Sequence, residues 1–360
     1  MVGTLKERMN RIANLIGAIS FGILVSRHTS IFPPIYIFMF YYWQYIFIKI
    51  QYIIKLYSIL KGWENMEKGK KKDGKIISFM NMKGGVGKTS LCVNLAVILA
   101  KKYKKKILIV DMDPQMNATQ YLFKKEIYDK EFFEKKKTIY ELFKIFQAES
   151  TECNVIDGVS NKKNLSQKKS NINDIIVAKE ENLDMIVGNF EMTTLALLGS
   201  SDISSVLVNY FKEQKIVQKY DFIFIDCPPT SSIYTTAALL ATNYYILVVK
   251  TDFFSKLGIS MMKKAIEKHN QKNQHTKVEL LGIICNMYRE KQDKNLLKDI
   301  REKYSQDFFE TIIPMKIIKI DDYSPEFFIK TDGLKKCTKE LAKEFLKRLE
   351  EEKWEWKKNF

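Results

Sequence analysis

The chain has 360 residues, with 59 basic and 42 acidic side chains, a formal net charge of +17 and a pI near 9.3. This length suits one large α/β domain with an appendage. The excess of base favours nucleic acid or an anionic membrane as a partner without choosing between them, and a solvated lysine-rich surface is the third possibility. The five dispersed cysteines and three histidines exclude a disulfide scaffold and a zinc site, and they are typical of a reduced cytoplasmic protein.

Residues 1–65 differ in composition from the rest of the chain. They contain two apolar runs, 12–26 and 31–48, and about 18 apolar residues can just span a bilayer. A signal peptide is disfavoured because no small-residue cleavage site follows. Two interpretations stay open: a membrane anchor, or a non-native extension upstream of a start at Met66. Residues 66–74 then form a charged linker to the first predicted strand.

The segment 81–90 lies between an apolar run at 76–80, which predicts a buried strand, and a helical pattern at 91–99. A glycine-rich turn in this position can direct its N–H groups inward as an anion nest, and the following helix adds its positive end. This arrangement predicts a phosphate-binding loop in which Lys88 reaches the β/γ-phosphates and the Thr89 hydroxyl binds Mg²⁺. The predicted nucleotide contacts of the loop are Gly84, Gly85, Val86, Gly87, Lys88, Thr89 and Ser90.

Strand and helix patterns alternate through the rest of the chain. Further strands are predicted at 106–111, 183–188, 221–226, 244–249, 280–285 and 311–314. Helices are predicted at 138–146, 203–217, 255–269, 291–303 and 334–349. Nearly continuous apolar strands alternating with helices indicate an α/β fold of the P-loop NTPase class, a mostly parallel twisted sheet with helices on both faces. The predicted nucleotide-binding domain covers 75–350, with a polar insertion near 153–171 and a charged tail at 351–360.

Two of the predicted strands end in aspartate, at the edge of a parallel sheet where ligands bind. Asp226 closes one of them, in a position where an acid can hold Mg²⁺ opposite the loop threonine. Asp111 and Asp113 follow the other strand, and two carboxylates one residue apart can serve the metal's water shell and the attacking water respectively. For an isolated D-x-D-P pattern, a helix N-cap is the alternative interpretation.

The run 83–89 resembles the deviant Walker A motif of the ParA/MinD family of ATPases, which carries a second lysine at the front of the loop. The general phosphate-loop motif has glycine where this chain has Met82. Residues 111–115, Asp-Met-Asp-Pro-Gln, are similar to the family's Walker A′ motif in its plasmid and chromosome partition version. The match covers about 75–350. Weaker similarities lie at 248–258, 282–288 and 313–314.

This resemblance implies ATP and Mg²⁺ as cofactors, hydrolysis of ATP to ADP and phosphate, and a homodimer that sandwiches the nucleotides. Within such a dimer, Lys83 is expected to reach the partner's phosphates. Asp113 is expected to be the hydrolytic residue, and Asn286 to contact the adenine. The implied catalytic residues are Lys83, Lys88 and Asp113. The implied metal ligands are Thr89, Asp111 and Asp226.

The expected function is that of a ParA/Soj-type partition ATPase, which forms an ATP-dependent homodimer, coats DNA non-specifically and is triggered by a ParB-type centromere-binding protein. The protein is then cytoplasmic and nucleoid-associated, or membrane-anchored if residues 1–65 are present. Non-specific DNA binding depends on phosphate contacts from basic side chains. The candidates, all on or beside the late helices, are Lys263, Lys264, Lys268, Arg289 and Arg301.

Three alternative functions are weaker. A MinD-like membrane-cycling ATPase needs a basic C-terminal amphipathic helix, and the acidic block at 350–352 disfavours it. A membrane-anchored bacterial tyrosine kinase is expected to end in a tyrosine cluster, but no tyrosine follows Tyr323. A non-enzymatic scaffold with a relic loop is disfavoured by the intact chemical groups at Lys88, Thr89, Asp113 and Asp226.

Overall fold

The computed structural model describes residues 73–152, 175–197, 204–229, 231–315 and 332–358, together with Tyr42, Ile46 and Lys49. The chain divides into two compact units, Met1–Lys72 and Asp73–Phe360, and the sheet lies in the second. The polar insertion predicted near 153–171, and the two apolar runs apart from those three isolated positions, lie outside the described residues. None of the described helices is both long enough and apolar enough to cross a membrane.

The second unit is built on a seven-stranded sheet with the strand order β3-β4-β2-β5-β1-β6-β7. The strands are β1 (Lys75–Met80), β2 (Ile107–Asp111), β3 (Ile176–Glu180), β4 (Leu183–Ile186), β5 (Phe222–Asp226), β6 (Tyr244–Lys250) and β7 (Glu279–Asn286). Neighbouring strands pair in parallel except β3 and β4, which are antiparallel. The predicted fold class is therefore confirmed.

Helices cover both faces of this sheet. They are α1 (Lys88–Tyr103), α2 (Asn117–Leu122), α3 (Lys125–Ile127), α4 (Ile139–Glu152), α5 (Met192–Leu197), α6 (Val206–Glu213), α7 (Ile216–Lys219), α8 (Ile233–Ala241), α9 (Ser255–Lys272), α10 (Glu290–Tyr304) and α11 (Asp332–Lys358). A π-helical turn, Tyr128–Phe133, continues α3. Because α11 extends to Lys358, most of the segment predicted as a charged tail belongs to this helix.

The core consists of two hydrophobic layers, one on each face of the sheet. Side chains alternate along β1, so that Ile77 and Phe79 enter the layer beneath α1 and α11, whereas Ile76 and Met80 enter the opposite layer. Phe79 is fully buried and its ring meets that of Phe224 edge-on at 5.1 Å. Full burial of one such side chain stabilises the fold by about 1.5–3 kcal/mol. The central strands therefore form a rigid base for the loops at their carboxyl ends.

The prediction of a strand at 311–314 is wrong. This segment runs beside the end of β7, where Ile313 N–H donates to the Cys285 carbonyl at 2.9 Å, but it forms only an isolated bridge between Pro314 and Tyr288. Proline has no N–H to donate to a ladder, which limits the pairing here. The sequence patterns also did not predict β3, a short and partly exposed edge strand, or the short helices α2, α3, α5 and α8.

Candidate nucleotide-binding site

The glycine-rich loop lies between the end of β1 at Met80 and the start of α1 at Lys88, as the sequence predicts. Gly85 and Gly87 adopt left-handed backbone angles, with φ of 70° and 82°. Residues other than glycine rarely adopt these backbone angles, so glycine is needed at both positions for the loop to turn. The turn brings the N-terminus of the 16-residue helix α1 to the carboxyl edge of the sheet, where its partial positive charge favours anions.

The two lysines of the loop occupy different environments. Lys88 is only 7% exposed, and burial lowers the pKa of its ammonium group, while the carboxylates of Asp226 and Asp113 oppose that shift. Lys83 lies on the surface, with its side chain 53% exposed, and forms an ion pair with Asp252 at 2.5 Å. Lys88 is therefore directed into the site, whereas Lys83 is directed toward the loop that follows β6.

Asp226 ends β5 in a fully buried position, in register with Asp111 at the end of the adjacent β2. Among the described residues, neither of its carboxylate oxygens has a hydrogen-bond partner at normal distance and angle. Burial raises the pKa of Asp226 to about 8, with the nearby Asp111 carboxylate adding to the shift. The Thr89 hydroxyl and the Lys88 ammonium act in the opposite direction. A buried carboxylate that lacks a hydrogen bond of normal geometry is costly to ionise, and a metal cation bound here would lower that cost.

Asp111, by contrast, is held by neighbouring donors. Its Oδ2 accepts hydrogen bonds from the Thr119 amide at 2.8 Å and the Thr119 hydroxyl at 2.7 Å, and its Oδ1 accepts one from the Asp113 amide at 3.3 Å. Thr119 Oγ1 in turn accepts a hydrogen bond from the Gly188 amide at 2.8 Å. Burial raises the pKa of Asp111 to about 7 despite these bonds. Asp111 thus ties α2 and the end of β4 to the edge of the sheet, a role that the sequence did not reveal.

A cavity of about 590 Å³ opens directly over the loop. Its walls include most of the predicted contacts, namely Gly84, Gly85, Gly87, Lys88, Thr89, Ser90 and Asp113. Asp113 is 5% exposed and accepts a hydrogen bond from the Gln115 amide at 2.9 Å, which fixes its carboxylate at the cavity wall. Other lining residues were not predicted, namely Gln115, Asn117, Gln120, Tyr121, Pro229 and Met287. Several of them follow the Asp-x-Asp-Pro motif directly, and their proximity to it was the available signal.

Asn286, at the end of β7, lies behind the loop rather than in the cavity. It is 2% exposed, and its amide nitrogen donates to the Val86 carbonyl at 2.9 Å. Val86 itself is buried at 2% exposure. The next residue, Met287, lines the cavity instead. The adenine contact implied for Asn286 stays a prediction.

A family model described as an AAA domain matches residues 74–280, which is more than half of the chain. The chain belongs to this family, in its ParA/Soj branch. Two relatives carry the name Soj. The sporulation initiation inhibitor protein Soj of Bacillus subtilis is 28% identical over 68% of this chain and 85% of its own. The chromosome-partitioning ATPase Soj of Treponema pallidum is 28% identical over 68% and 84%.

Solved structures agree with this assignment at the level of the fold. A plasmid partition protein from Borrelia burgdorferi is 22% identical and superimposes with a TM-score of 0.58, covering 77% of this chain and all of its own. Cobyrinic acid a,c-diamide synthase from Mycobacterium smegmatis, with a bound ATP analogue and magnesium, is 20% identical with a TM-score of 0.57, covering 77% and 96%. The ParA/Soj-type chain therefore shares the sheet architecture of nucleotide-binding proteins with different functions.

The ParA/Soj-type site also fits a magnesium ion. Mg²⁺ prefers oxygen ligands and usually takes one or two carboxylates, with the rest of its shell from phosphates and water. The two partnerless oxygens of Asp226 and the hydroxyl of Thr89 are donors of this kind. Asp111 lies beside Asp226 in the sheet, but its oxygens are engaged by Thr119 and Asp113. Asp226 is accordingly the stronger of the two candidate carboxylates.

The basic residues predicted to contact DNA fall into two groups. Three are engaged within the chain: Lys263 pairs with Asp307 at 2.5 Å, Arg289 pairs with Asp293 at 3.1 Å, and Arg301 donates to the Phe309 carbonyl at 2.9 Å. Lys264 and Lys268 are exposed on the surface of α9, one helical turn apart. These two lysines of the ParA/Soj-type chain are thus the better placed for phosphate contacts.

Asp226→Asn is expected to stabilise the ligand-free protein, and increasingly so as the pH rises. An unfolded aspartate has a pKa near 3.9, whereas burial raises the pKa of Asp226 to about 8. The protonated carboxyl therefore contributes its full stability below about pH 4 and loses it as the pH rises through about 8. Near pH 8.5, we expect a gain of about 1–3 kcal/mol in the free energy of unfolding, with much less at pH 5.

Urea unfolding at the two pH values, without nucleotide or magnesium, measures this gain. The matched control is Asp299→Asn, because Asp299 has a side chain that is 60% exposed and only a 3.6 Å ion pair with Lys256. It should change stability little at either pH. An Asp226→Asn variant whose stability relative to the wild type does not change with pH would contradict the raised pKa.

Proposed function

We propose that this protein is a partition ATPase that hydrolyses Mg-ATP to ADP and phosphate and uses the cycle to control dimerisation and binding to DNA. The observation that carries the proposal is the buried Lys88 beside the partnerless carboxylate of Asp226 at a glycine loop. A buried cation and a buried acid that lacks partners suit a polyanion with its divalent counterion. The Asp-Met-Asp-Pro-Gln motif and the similarity to Soj proteins support the partition role.

In this proposal, the chain's own residues bind and orient the nucleotide. Lys88 and the N–H groups of the loop neutralise the phosphates, and Thr89 with Asp226 holds the magnesium ion. When bound, that ion supplies charge neutralisation at the phosphate oxygens. Asp113, fixed at the cavity wall by the Gln115 amide, orients the attacking water. Asp111 is assigned beside the metal's water shell, where its bonds to Thr119 keep the carboxylate in place.

An exposed apolar surface next to Lys83 supports the ATP-dependent homodimer. Phe253 is 83% exposed, Phe254 62%, Leu257 56% and Met261 49%, all after the end of β6. The last three follow one face at the start of α9, since they are spaced by three and four residues. Contiguous exposed apolar surface of this kind is typical of protein interaction sites. A second copy that covers it would also approach Lys83, the lysine proposed to reach the partner's phosphates.

The proposed partners are a second copy of the chain, non-specific DNA and a ParB-type centromere-binding protein that triggers hydrolysis. The net charge of +17 supports binding to DNA. A protein that coats DNA in this way is nucleoid-associated. Attachment to a membrane through residues 1–65 remains the alternative placement, as the sequence suggests.

The DNA step is tested with Lys264→Ala and Lys268→Ala combined in the full chain. We expect this variant to bind duplex DNA of any sequence more weakly, because two phosphate contacts are lost. The slope of log affinity against log salt should fall by about two units. ATP binding should be unchanged, since both lysines lie outside the cavity. The measurement is retention on DNA with ATP and with ADP over a range of salt concentrations.

The matched control is Lys212→Ala with Lys219→Ala, two exposed lysines on α6 and α7, the helices that precede the central strand β5. This control should keep the wild-type slope. Retention on anionic liposomes is measured in parallel. ATP-dependent retention on liposomes with none on DNA would move the assignment to a membrane-cycling ATPase and reject the partition role.

A further inference from the structure

The buried Asn286 makes a contact that bears on how the phosphate loop acquires its shape. Its amide nitrogen donates to the Val86 carbonyl at 2.9 Å, joining positions 200 residues apart. A Cβ atom added to Gly87 would lie 2.3 Å from the same nitrogen. The loop backbone and the amide are therefore in direct contact. Glycine is therefore required at position 87 for two reasons. The backbone φ is 82°, and the Asn286 amide occupies the space where a Cβ atom would lie.

This hydrogen bond also fixes the direction of a loop N–H group. In a trans peptide, the carbonyl and the N–H point in opposite directions, and the structure contains no cis peptide bond among its described residues. Because the Val86 carbonyl is turned toward Asn286, the Gly87 N–H of the same peptide unit is turned away from it. An anion nest needs N–H groups turned out of the protein interior in this way.

The front of the loop is held by a second asparagine. Asn81 donates to the Val248 carbonyl of β6 at 2.7 Å and accepts a hydrogen bond from the Lys83 amide at 2.9 Å. Asparagine side chains thus hold the loop at both ends, one reaching β6 and the other extending from β7. Neither residue lines the cavity over the loop.

We propose that Asn286 is a positioning residue for the triphosphate, which orients the phosphate loop through Val86 and does not select the base. The inference rests on the nucleotide site of the proposed function and deepens it. At 2% exposure, Asn286 has little surface to offer an adenine, and its amide nitrogen is already committed to the loop. Removing the donor leaves the Val86 carbonyl free to rotate, and the Gly87 N–H rotates with it.

The test is the affinity of the full chain, with Mg²⁺, for three probes: ATP, GTP and inorganic tripolyphosphate. The variant is Asn286→Leu, which keeps the approximate size of the side chain and removes the N–H donor without adding a charge. We expect a loss of about tenfold or more for all three probes, because a lost buried hydrogen bond disturbs contacts that the three share. The ratio of ATP to GTP affinity should stay at its wild-type value.

The matched control is Asn270→Leu, because Asn270 also donates to a valine carbonyl, that of Val278, at 2.9 Å but far from the loop. It should lower thermal stability and leave all three affinities unchanged. If Asn286→Leu does not fold, Asn286→Ser is used, since a serine hydroxyl is too short to reach Val86. The expected result for it is the same.

Two outcomes overturn the inference. A loss confined to ATP, with a changed ratio of ATP to GTP and unchanged tripolyphosphate affinity, would make Asn286 a base contact. Wild-type affinity for all three probes would show that the hydrogen bond does not shape the loop. Lys88→Ala in the same titrations separates a failure of the proposed nucleotide site from a failure of the role proposed for Asn286. If it too binds normally, the nucleotide site itself is wrong; if it alone loses binding, only the role of Asn286 fails.

Discussion

Lys88→Ala is expected to weaken the binding of Mg-ATP by at least about 30-fold. Lys88 is the buried lysine of the phosphate loop, and burial lowers the pKa of its ammonium group while the carboxylates of Asp226 and Asp113 oppose that shift. Truncating one partner of a buried charge pair costs about 2–5 kcal/mol, which corresponds to a loss of ~30- to 5000-fold. Equilibrium titration with Mg-ATP measures the loss, and thermal unfolding verifies that the variant is folded.

The matched control is Lys102→Ala, on the exposed end of the same helix. It should bind Mg-ATP as the wild type does. Lys83→Ala is also expected to keep the affinity of the monomer, because Lys83 faces Asp252 rather than the cavity. Unchanged affinity in Lys88→Ala would reject the assignment of the loop as a phosphate site.

The phosphate loop could be predicted from the sequence because its determinants are local. A buried strand, glycines, the Gly-Lys-Thr order and a helix all fall within 76–99, and each follows from the spacing of a few residues. The central strands were predicted for the same reason, since both of their faces are buried and their apolar runs are continuous. The edges of the sheet were harder to predict from the sequence. The edge strand β3 is partly exposed, and the apolar run at 311–314 pairs only through an isolated bridge.

The contacts that connect the site could not be predicted, because no spacing pattern in the sequence pairs the residues that they join. Thr119 holds Asp111 across eight residues, Asp252 pairs with Lys83 across 169, and Asn286 reaches Val86 across 200. Each partner is a common polar residue whose role depends on where the fold places it. The sequence correctly predicted that Asp226 ends a buried strand, but only the structure shows that its oxygens lack a hydrogen bond of normal geometry.

Asp113→Ala is expected to trap an ATP-bound homodimer. Asp113 lies at the cavity wall, so its removal leaves Lys88, Thr89 and the loop amides available to bind the nucleotide. Hydrolysis should fall by about 100-fold or more, because the residue proposed to orient the attacking water is lost. Without hydrolysis, the ATP state persists. Light scattering of the variant with Mg-ATP should then show twice the mass of the chain, whereas ADP should give the single mass.

Two further variants separate the loss of hydrolysis from a loss of structure. In the structure, the Gln115 amide donates to Asp113 Oδ1 at 2.9 Å, and Asp113→Asn keeps an oxygen that can accept this hydrogen bond. We expect Asp113→Asn to behave like Asp113→Ala in both the hydrolysis and the light-scattering assays. Combining Asp113→Ala with Lys83→Ala should return the protein to a monomer while ATP remains bound, because the lysine proposed to reach the partner's phosphates is gone. A protein that binds ATP, fails to hydrolyse it and still scatters as a monomer at every concentration would refute the sandwich dimer, whatever its affinity for DNA.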